Sequence, residues 1–594
     1  MFTSKEWDRV VCKRPRLIDE KKPLSKIIGL DSETLLNGKP FMFCAWSPDI
    51  PEGECFNPSC VPHIFFLPRY VNGNFVLWNL KFDSGSLLSF LSFSQLHRLW
   101  EYGEIDIESL DLSIQYIPHK MLRFTRGKNT ATFWDVQQYY NSSLQSAAQR
   151  YLSESKLSTR TYRFTPQYVA RYWKSLERYC MQDARLTCLL GNYLIKKLAE
   201  FDIETTALYS CASLAYTYFS RRSTIISGYK WYSTCPEFLK MATDAYEGGK
   251  FEIIARGSFD HGFEYDISSA YPCEIAGLID LSNSRIVFSE KYQPHAVYGF
   301  LRCRIDNHEG KFLPCGIMED KRVYPSGVYY TTITKKEYEY LLSLRVPVKI
   351  IKASWVFVNR KRYLYKKLID HLYSIKSKYK GKDDMLYLVT KIVQNSFYGK
   401  LAQAIEDHDG KFITGSAWNP IYASEITANT RIKVCRIQNL LKDRCLAVHT
   451  DSVITLDPLP AEMVTGNLGE FSLETEGPGT IIACGQYEIG GKRPAFKGFD
   501  PPRDTTWKGL LKRNKGRRSF YTKYLHVESW VEAMAKGHKD MVNVFFDDKK
   551  HIDLNADTKR LWPGDISGAD LLLKLQYSTA RYFDEKKQPE FWLK

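Results

Sequence analysis

Five short strand-like runs in this chain end in acidic residues or flank them, and this pattern limits the available folds more than any other feature. Lys26–Leu30 leads into Asp31-Ser32-Glu33, and Phe75–Trp78 leads into Asn79-Leu80-Lys81-Phe82-Asp83. Farther on, Phe263-Glu264-Tyr265 alternates as a strand does and delivers Asp266. Cys445–Val448 and Val453–Leu456 flank His449-Thr450-Asp451-Ser452, the pattern of a hairpin with a polar tip. A single Asp at a strand end is usually a turn or cap residue. Several of them, grouped early and late in one chain, call for two places where strands bring carboxylates together.

At 594 residues the chain exceeds a single core, and domain-size statistics suggest about three to five units. Hydrophobic residues make up 44% and aromatics 14%, enough to fill such cores. Strands followed by the helical spacing of Leu176–Ile195 predict an α/β first unit ending near residue 200. On that helix Tyr179 and Asp183 share one face. Tyr363–Ile375 and Asp384–Tyr398 read as two helices joined by the lysine-rich link Lys376–Lys382.

A formal net charge of +16 implies a polyanionic partner. Arg360–Lys382 carries nine basic residues against Asp370, and Lys492–Lys523 carries eleven against Asp500 and Asp504. Phe496, Trp507, Phe520 and Tyr521 interleave the second stretch, as in surfaces that grip phosphates and stack on bases. The 14 cysteines include no Cys-x-x-Cys pair, and Cys55-x4-Cys60 has no second pair to complete a zinc site, so reduced and mostly buried thiols are expected. Met1–Arg16 has no apolar signal core and no run approaches a membrane span, so a soluble intracellular protein without membrane partners is expected.

Phosphoryl transfer needs positioning and charge neutralisation, and paired divalent ions held by converging carboxylates supply both. Asp31, Glu33, Asp83 and Asp183 form one candidate ligand set, with Tyr179 placed to orient a water. Asp266 and Asp451 form the other. Between them Lys391, Asn395 and Tyr398 fall at i, i+4 and i+7, so a cation for a triphosphate, an amide and a ring for a base pair face one way. Gly399 leaves room for backbone approach.

In this order the pieces resemble the motifs of family B DNA polymerases. Asp31-Ser32-Glu33, Asn79–Asp83 and Tyr179–Asp183 resemble the three exonuclease motifs. Asp266–Pro272, Lys391–Gly399 and Thr450-Asp451-Ser452 resemble polymerase motifs A, B and C. Within the family the chain is most similar to the protein-primed enzymes of linear phage and plasmid genomes: Tyr246-Glu247-Gly248-Gly249 resembles their interdomain linker, and Ser143-Leu144 their Ser-Leu motif. The resemblance implies a mixed α/β and α+β multidomain fold, a ribonuclease H-like 3′-5′ exonuclease followed by a right-hand polymerase. Its parts would be an exonuclease at 1–200, palm at 201–272 and 420–500, a terminal-protein-region insertion at 273–362, fingers at 363–399, a shortened second insertion at 400–419 and a thumb at 501–594.

By the same resemblance Asp266, Asp451, Asp31, Glu33, Asp83, Tyr179 and Asp183 are catalytic, and all but Tyr179 hold magnesium, two ions per site, which manganese can replace. Tyr271, Lys391, Asn395, Tyr398 and Lys376 bind the nucleotide, with Tyr271 excluding a 2′-hydroxyl. Asn79, Phe82, Ser143, Leu144, Tyr246, Gly248, Gly249, Tyr487 and Lys497 contact DNA. The implied partners are primer-template DNA, deoxynucleoside triphosphates, a terminal priming protein and a processivity or single-strand-binding protein, wherever the element replicates, such as a host cytoplasm.

Three departures stand out. His449 replaces the first Asp of motif C, and is expected to hydrogen-bond near Asp451 and to titrate near the usual histidine value of about 6.5. Gly485-Gln486-Tyr487 lacks the lysine of the family's Lys-x-Tyr motif, for which Lys497 is the candidate substitute. Lys400–Asn419 is short, with arms of about seven residues reaching roughly 23 Å, so weak processivity and strand displacement are expected. The rival readings are an exonuclease with a decayed polymerase half and a non-catalytic DNA-binding or priming scaffold.

Overall fold

The computed structural model describes residues 2–15, 23–159, 161 and 164–584. Parts of two expectations, the N-terminal stretch at Met1 and Arg16 and the last ten residues of the 501–594 segment, lie outside the described residues.

The N-terminal unit is built on an eight-stranded sheet, in the order Ile50–Phe56, Pro40–Ser47, Ile27–Thr34, Asn74–Leu77, Asn129–Asp135, Met121–Arg126, Leu112–Ile117, Glu104–Ile107. Ile27–Thr34 and Asn129–Asp135 run parallel to the central Asn74–Leu77, whose side chains after Asn74 are all buried. Parallel strands covered on both faces favour such continuous apolar runs. The helix Pro166–Glu200 lies against Ile27–Thr34, starting at a Thr165 N-cap with Pro166 in its first turn. It extends beyond Leu176–Ile195 at both ends. Close approach is enforced at Gly29, where a Cβ would lie 1.9 Å from the Ala184 carbonyl oxygen.

A second eight-stranded sheet carries the later carboxylates. The 13-residue strand Ala255–Ile267 runs antiparallel to both Ser452–Thr455 and Phe471–Ala483. The helix Pro420–Leu441 covers this region, buried along most of its length. Residues 273–362 contribute most of a five-stranded sheet, whose edge strand Tyr582–Phe583 comes from near the C-terminus.

Several expectations are corrected here. Asp31 and Glu33 lie inside a strand that continues to Thr34, because the antiparallel neighbour Pro40–Ser47 pairs through them. Asp83 sits in the helix Leu80–Leu87. Lys376 and Lys378 belong to the helix Lys366–Tyr379, so the link before Asp384–Ser396 is shorter than expected. That second helix stops at Ser396, and Tyr398 opens a separate turn, Tyr398–Leu401.

Cys44 and Cys55 form a cross-strand disulfide, since they face each other in the antiparallel ladder; the other twelve cysteines are free, as expected. Trp507 and Phe520 are core residues beneath the basic stretch and cannot stack on bases, whereas Tyr521 is exposed. The 400–419 hairpin has strands of three residues, Ala404–Glu406 and Phe412–Thr414, shorter than the arms expected. It forms a three-stranded sheet with Val10–Val11, and His408 in its turn contacts Tyr102 with ring centroids 5.4 Å apart.

Candidate active sites

In the first centre, alternation along Ile27–Thr34 turns Asp31 and Glu33 to one face, where the long helix presents Tyr179 and Asp183. Asp83 joins them through its helix and accepts a 2.6 Å hydrogen bond from the Ser32 hydroxyl. Burial, reinforced by neighbouring carboxylates, holds Asp31 well above the usual carboxylate range and pushes Glu33 up to about 8. Burial likewise raises Asp83 to about 7 and Asp183 to about 6. Asp183 Oδ1 is buried with no hydrogen-bond partner. Four crowded carboxylates, one with an orphaned oxygen, suit divalent cations, which would repay their desolvation and mutual repulsion.

Sequence reasoning missed Lys156. It reaches in from the segment between the helices Leu144–Leu152 and Pro166–Glu200, ion-pairs with Asp183 and lies 4.6 Å from the Tyr179 ring centroid. Burial works against its charge, yet Asp183, Tyr179 and Asp31 together raise its pKa. A lone lysine in a loop gave no periodic signal by which to find it.

The C-terminal segment braces this centre. The Trp530 indole donates to the Ser84 hydroxyl at 2.9 Å, Asn543 Nδ2 donates to the Phe82 carbonyl at 2.9 Å, and Lys81 pairs with Glu532 at 2.8 Å. Phe82 meets Phe545. Asn79 is exposed with positive φ, and Ser143 caps the helix Leu144–Leu152. Leu144 is buried in the core, where it supports that helix.

The second centre lines a cleft of about 1080 Å³ that gathers Asp266, Tyr271, Lys376, Lys391, Asn395, Asp451 and Tyr487. Pairing of Asp266 with Ser452 across the ladder sets Asp451 beside it at the hairpin tip, where Thr450 adopts positive φ. Burial and the nearby Asp451, Glu474 and Glu264 lift Asp266 to about 7, and burial raises Asp451. Lys376 donates to the Ser269 hydroxyl at 2.7 Å; burial, with Lys391 and Lys380 nearby, lowers its pKa. Tyr271 lies 4.5 Å from Tyr398 by ring centroids, and the Tyr398 hydroxyl is 2.6 Å from that of Tyr246.

The linker is fixed to the same centre. Gly248 is exposed, while a Cβ on Gly249 would come within 2.4 Å of Thr450 Cγ2, so close backbone approach requires glycine there. The buried Arg431 guanidinium donates to the Glu247 and Gly248 carbonyls at 2.5 and 2.9 Å and pairs with Glu337 at 2.7 Å. It therefore ties the linker to the helix Lys335–Ser343 of the 273–362 segment.

Two expectations near this cleft are corrected. His449 stacks on Tyr487 at 4.8 Å and contacts Phe251 at 4.9 Å; neither ring nitrogen has a hydrogen-bond partner, so it does not donate near Asp451. Burial, with Lys497 and Lys559 nearby, pushes its pKa down to about 4, away from 6.5. Lys497 lies over the Phe251 ring, whereas Lys492 lines the cleft with Nζ 3.4 Å from Glu264. Lys492 is thus better placed than Lys497 to replace the absent Lys-x-Tyr lysine.

Comparison with known proteins finds relatives of this chain and structures of similar fold. The chain is 24% identical over 414 residues to a DNA polymerase of Acidianus bottle-shaped virus (isolate Italy/Pozzuoli), covering 63% of this chain and 61% of that protein. It is 26% identical over 242 residues to a probable DNA polymerase of Ascobolus immersus, covering 38% of this chain and 19% of that one. The matches therefore span less than two thirds of either relative. The fold is similar to that of Phi29 DNA polymerase complexed with primer-template DNA and incoming nucleotide substrates, with a TM-score of 0.62 at 14% identity, over 89% of this chain and 100% of that one. The binary complex of Phi29 DNA polymerase with primer-template DNA matches with a TM-score of 0.61 at 15% identity, over the same shares of both chains. The family model for DNA polymerase type B, organellar and viral, matches residues 110–433, more than half of the sequence, and the chain belongs to that family.

Proposed function

We propose that this chain is a template-directed DNA polymerase that adds deoxynucleotides to a primer 3′ end and removes mispaired ends in its N-terminal unit. The observation that carries the reading is the single cleft holding Asp266 and Asp451 opposite Lys391, Lys376 and Asn395. Asp266 and Asp451 would hold two magnesium ions, which neutralise charge on the triphosphate as it breaks. Lys391 and Lys376 grip the phosphates as point charges. Tyr271, buttressed by Tyr398 and Tyr246, occupies the space of a ribose 2′-hydroxyl.

Asp31, Glu33, Asp83 and Asp183 would hold the ions for hydrolysis, with Tyr179 orienting the water and Lys156 supplying positive charge. Against the rivals, a decayed polymerase or a scaffold has no need of a cleft that still presents two carboxylates and the basic wall. Magnesium-dependent extension of a primed template is the test; degradation without extension would favour the decayed-polymerase reading, and neither activity the scaffold. The short 400–419 hairpin supports low processivity unless a partner supplies a clamp, and long products from one binding event on a primed circle would contradict it. Protein priming would show as labelled nucleotide joined to a candidate terminal protein.

A further inference from the structure

We propose that Cys180 makes the N-terminal carboxylate centre a selective site for soft divalent ions, Zn²⁺ and Cd²⁺, which bind there through sulfur and displace magnesium. Among the described residues, Asp31, Glu33 and Cys180 are the one group of three metal-ligating side chains whose ligand atoms all lie within 4.8 Å of one another. Cys180 follows Tyr179 on the long helix and is fully buried against Asp31 and Glu33.

A second observation points to the same spot. Asp183 is 2% exposed, its Oδ1 has no hydrogen-bond partner, and its charge acts on both Asp31 and Glu33. Two carboxylates and one sulfur make three corners of a tetrahedral set, and since Asp183 lies outside the group whose ligand atoms are all within 4.8 Å of one another, a water takes the fourth. Zinc takes such ligands at about 2.3 Å for sulfur and about 2.0–2.2 Å for oxygen, so donors within 4.8 Å close on it by side-chain rotation. Magnesium demands octahedral oxygen and keeps its waters, and gains nothing from a thiolate.

The sulfur is available. Its thiol donates a weak hydrogen bond to the Asp31 carbonyl at 3.6 Å, and Cys44 and Cys55 are joined to each other. As the metal–sulfur bond forms, the thiol proton leaves to water, and Asp183 keeps its pairing with Lys156. The cleft around Asp266 and Asp451 has no cysteine in its lining, so soft ions separate the two centres. Inhibition as a consequence rests on the hydrolytic reading of this centre; the binding does not.

The test titrates Cd²⁺ into the full chain with magnesium in excess and follows the ultraviolet cadmium–thiolate charge-transfer band. One equivalent of band is expected, lost in Cys180→Ser and weakened at least on the order of ten-fold in apparent affinity in Asp31→Asn. A band unchanged in Cys180→Ser, or indifferent to Asp31→Asn, overturns the proposal. X-ray absorption of the wild-type chain with one equivalent of Zn²⁺ needs no variant: one sulfur among oxygens is expected, and a shell of oxygen alone overturns it. Normalised to each protein's magnesium-dependent rates, Cd²⁺ should inhibit degradation at about ten-fold lower concentration than extension. A cysteine-dependent band in a chain that degrades nothing would sink the hydrolytic reading and leave the metal site standing.

Discussion

The two carboxylate centres of this chain use the same chemical group in opposite surroundings. The N-terminal one is a tight pit: four carboxylates, three of them buried and Asp31 half-buried, crowded until Glu33 is held up to about 8, with Lys156 inserted among them. The later one is an open cleft of about 1080 Å³, where Asp266, Asp451, Glu264 and Glu474 share the lining with Lys376, Lys380, Lys391 and Lys492. A pit of that kind suits one phosphodiester at a strand end, where the protein supplies nearly all the charge. A cleft suits a substrate that brings its own triphosphate and a base pair. The difference teaches that ligand identity alone does not assign a reaction; the volume and the counter-charges around the ligands do.

The most severe way to break the comparison is to remove ligands from one centre and measure both activities. Asp266→Ala or Asp451→Ala should lower extension on the order of a thousand-fold or more, as loss of metal-held charge worth several kcal/mol implies, while single strands are still degraded. Asp31→Ala with Asp83→Ala should do the reverse. If either change abolishes both activities, the centres are not independent. Next in size, Lys156→Ala should cut degradation about 10²–10³-fold and spare extension, since it removes one preorganised positive charge from the pit. Equal loss of both rates would mark Lys156 as a folding residue. Tyr271→Val should then relax discrimination against ribonucleotides on the order of ten- to a hundred-fold. Unchanged sugar selectivity would reduce Tyr271 to packing against Tyr398.

A fourth measurement sharpens the contrast through stability. Carboxylates titrate near 4 in an unfolded chain, but Glu33, Asp83 and Asp183 reach about 8, 7 and 6 when folded. Between these values the folded state binds more protons than the unfolded one, so stability is full below about pH 4 and is lost as pH rises toward 8. Metal-free protein should therefore melt lower at pH 8 than at pH 5.5, by an amount on the order of several kcal/mol, and magnesium should raise the melting temperature more at the higher pH. Glu33→Gln should flatten the profile more than Asp266→Asn does. A flat wild-type profile without metal would mean that the pit is not charge-strained.

Much of this was legible in the sequence because the motifs are local. Asp266, Lys391, Asn395 and Asp451 could be placed from short apolar runs and helical spacing, and they do line one cleft. What escaped was carried by long-range contact. Lys156 meets Asp183 across a loop, Lys492 meets Glu264 from a turn, and Trp530 reaches back to Ser84 across most of the chain. The cross-strand pairing of Cys44 with Cys55 followed from a register that composition cannot give. Periodicity also fails where both faces of an element are buried: alternation could not show that the strand Ile27–Thr34 runs on through its acids.

The smallest expected effect concerns His449, which lines the cleft two residues before Asp451. An ordinary histidine would gain charge as pH falls through about 6.5 and repel cations at Asp451 two residues away. Here the ring is wedged between Tyr487 and Phe251, with Lys497 and Lys559 nearby, and its pKa is pushed down to about 4. It is therefore neutral through the range in which an ordinary histidine titrates. The depressed value has a stability cost in acid only: the unfolded chain takes up the proton first, so stability falls as pH drops from about 6.5 toward 4. His449→Phe keeps the stack and removes the titration. Extension rates of the two proteins should keep a constant ratio, within about two-fold, between pH 5.5 and 8. A ratio that turns over near 6.5 would show that His449 charges in the working enzyme, and that its aromatic wedge is looser than the contacts with Tyr487 and Phe251 imply.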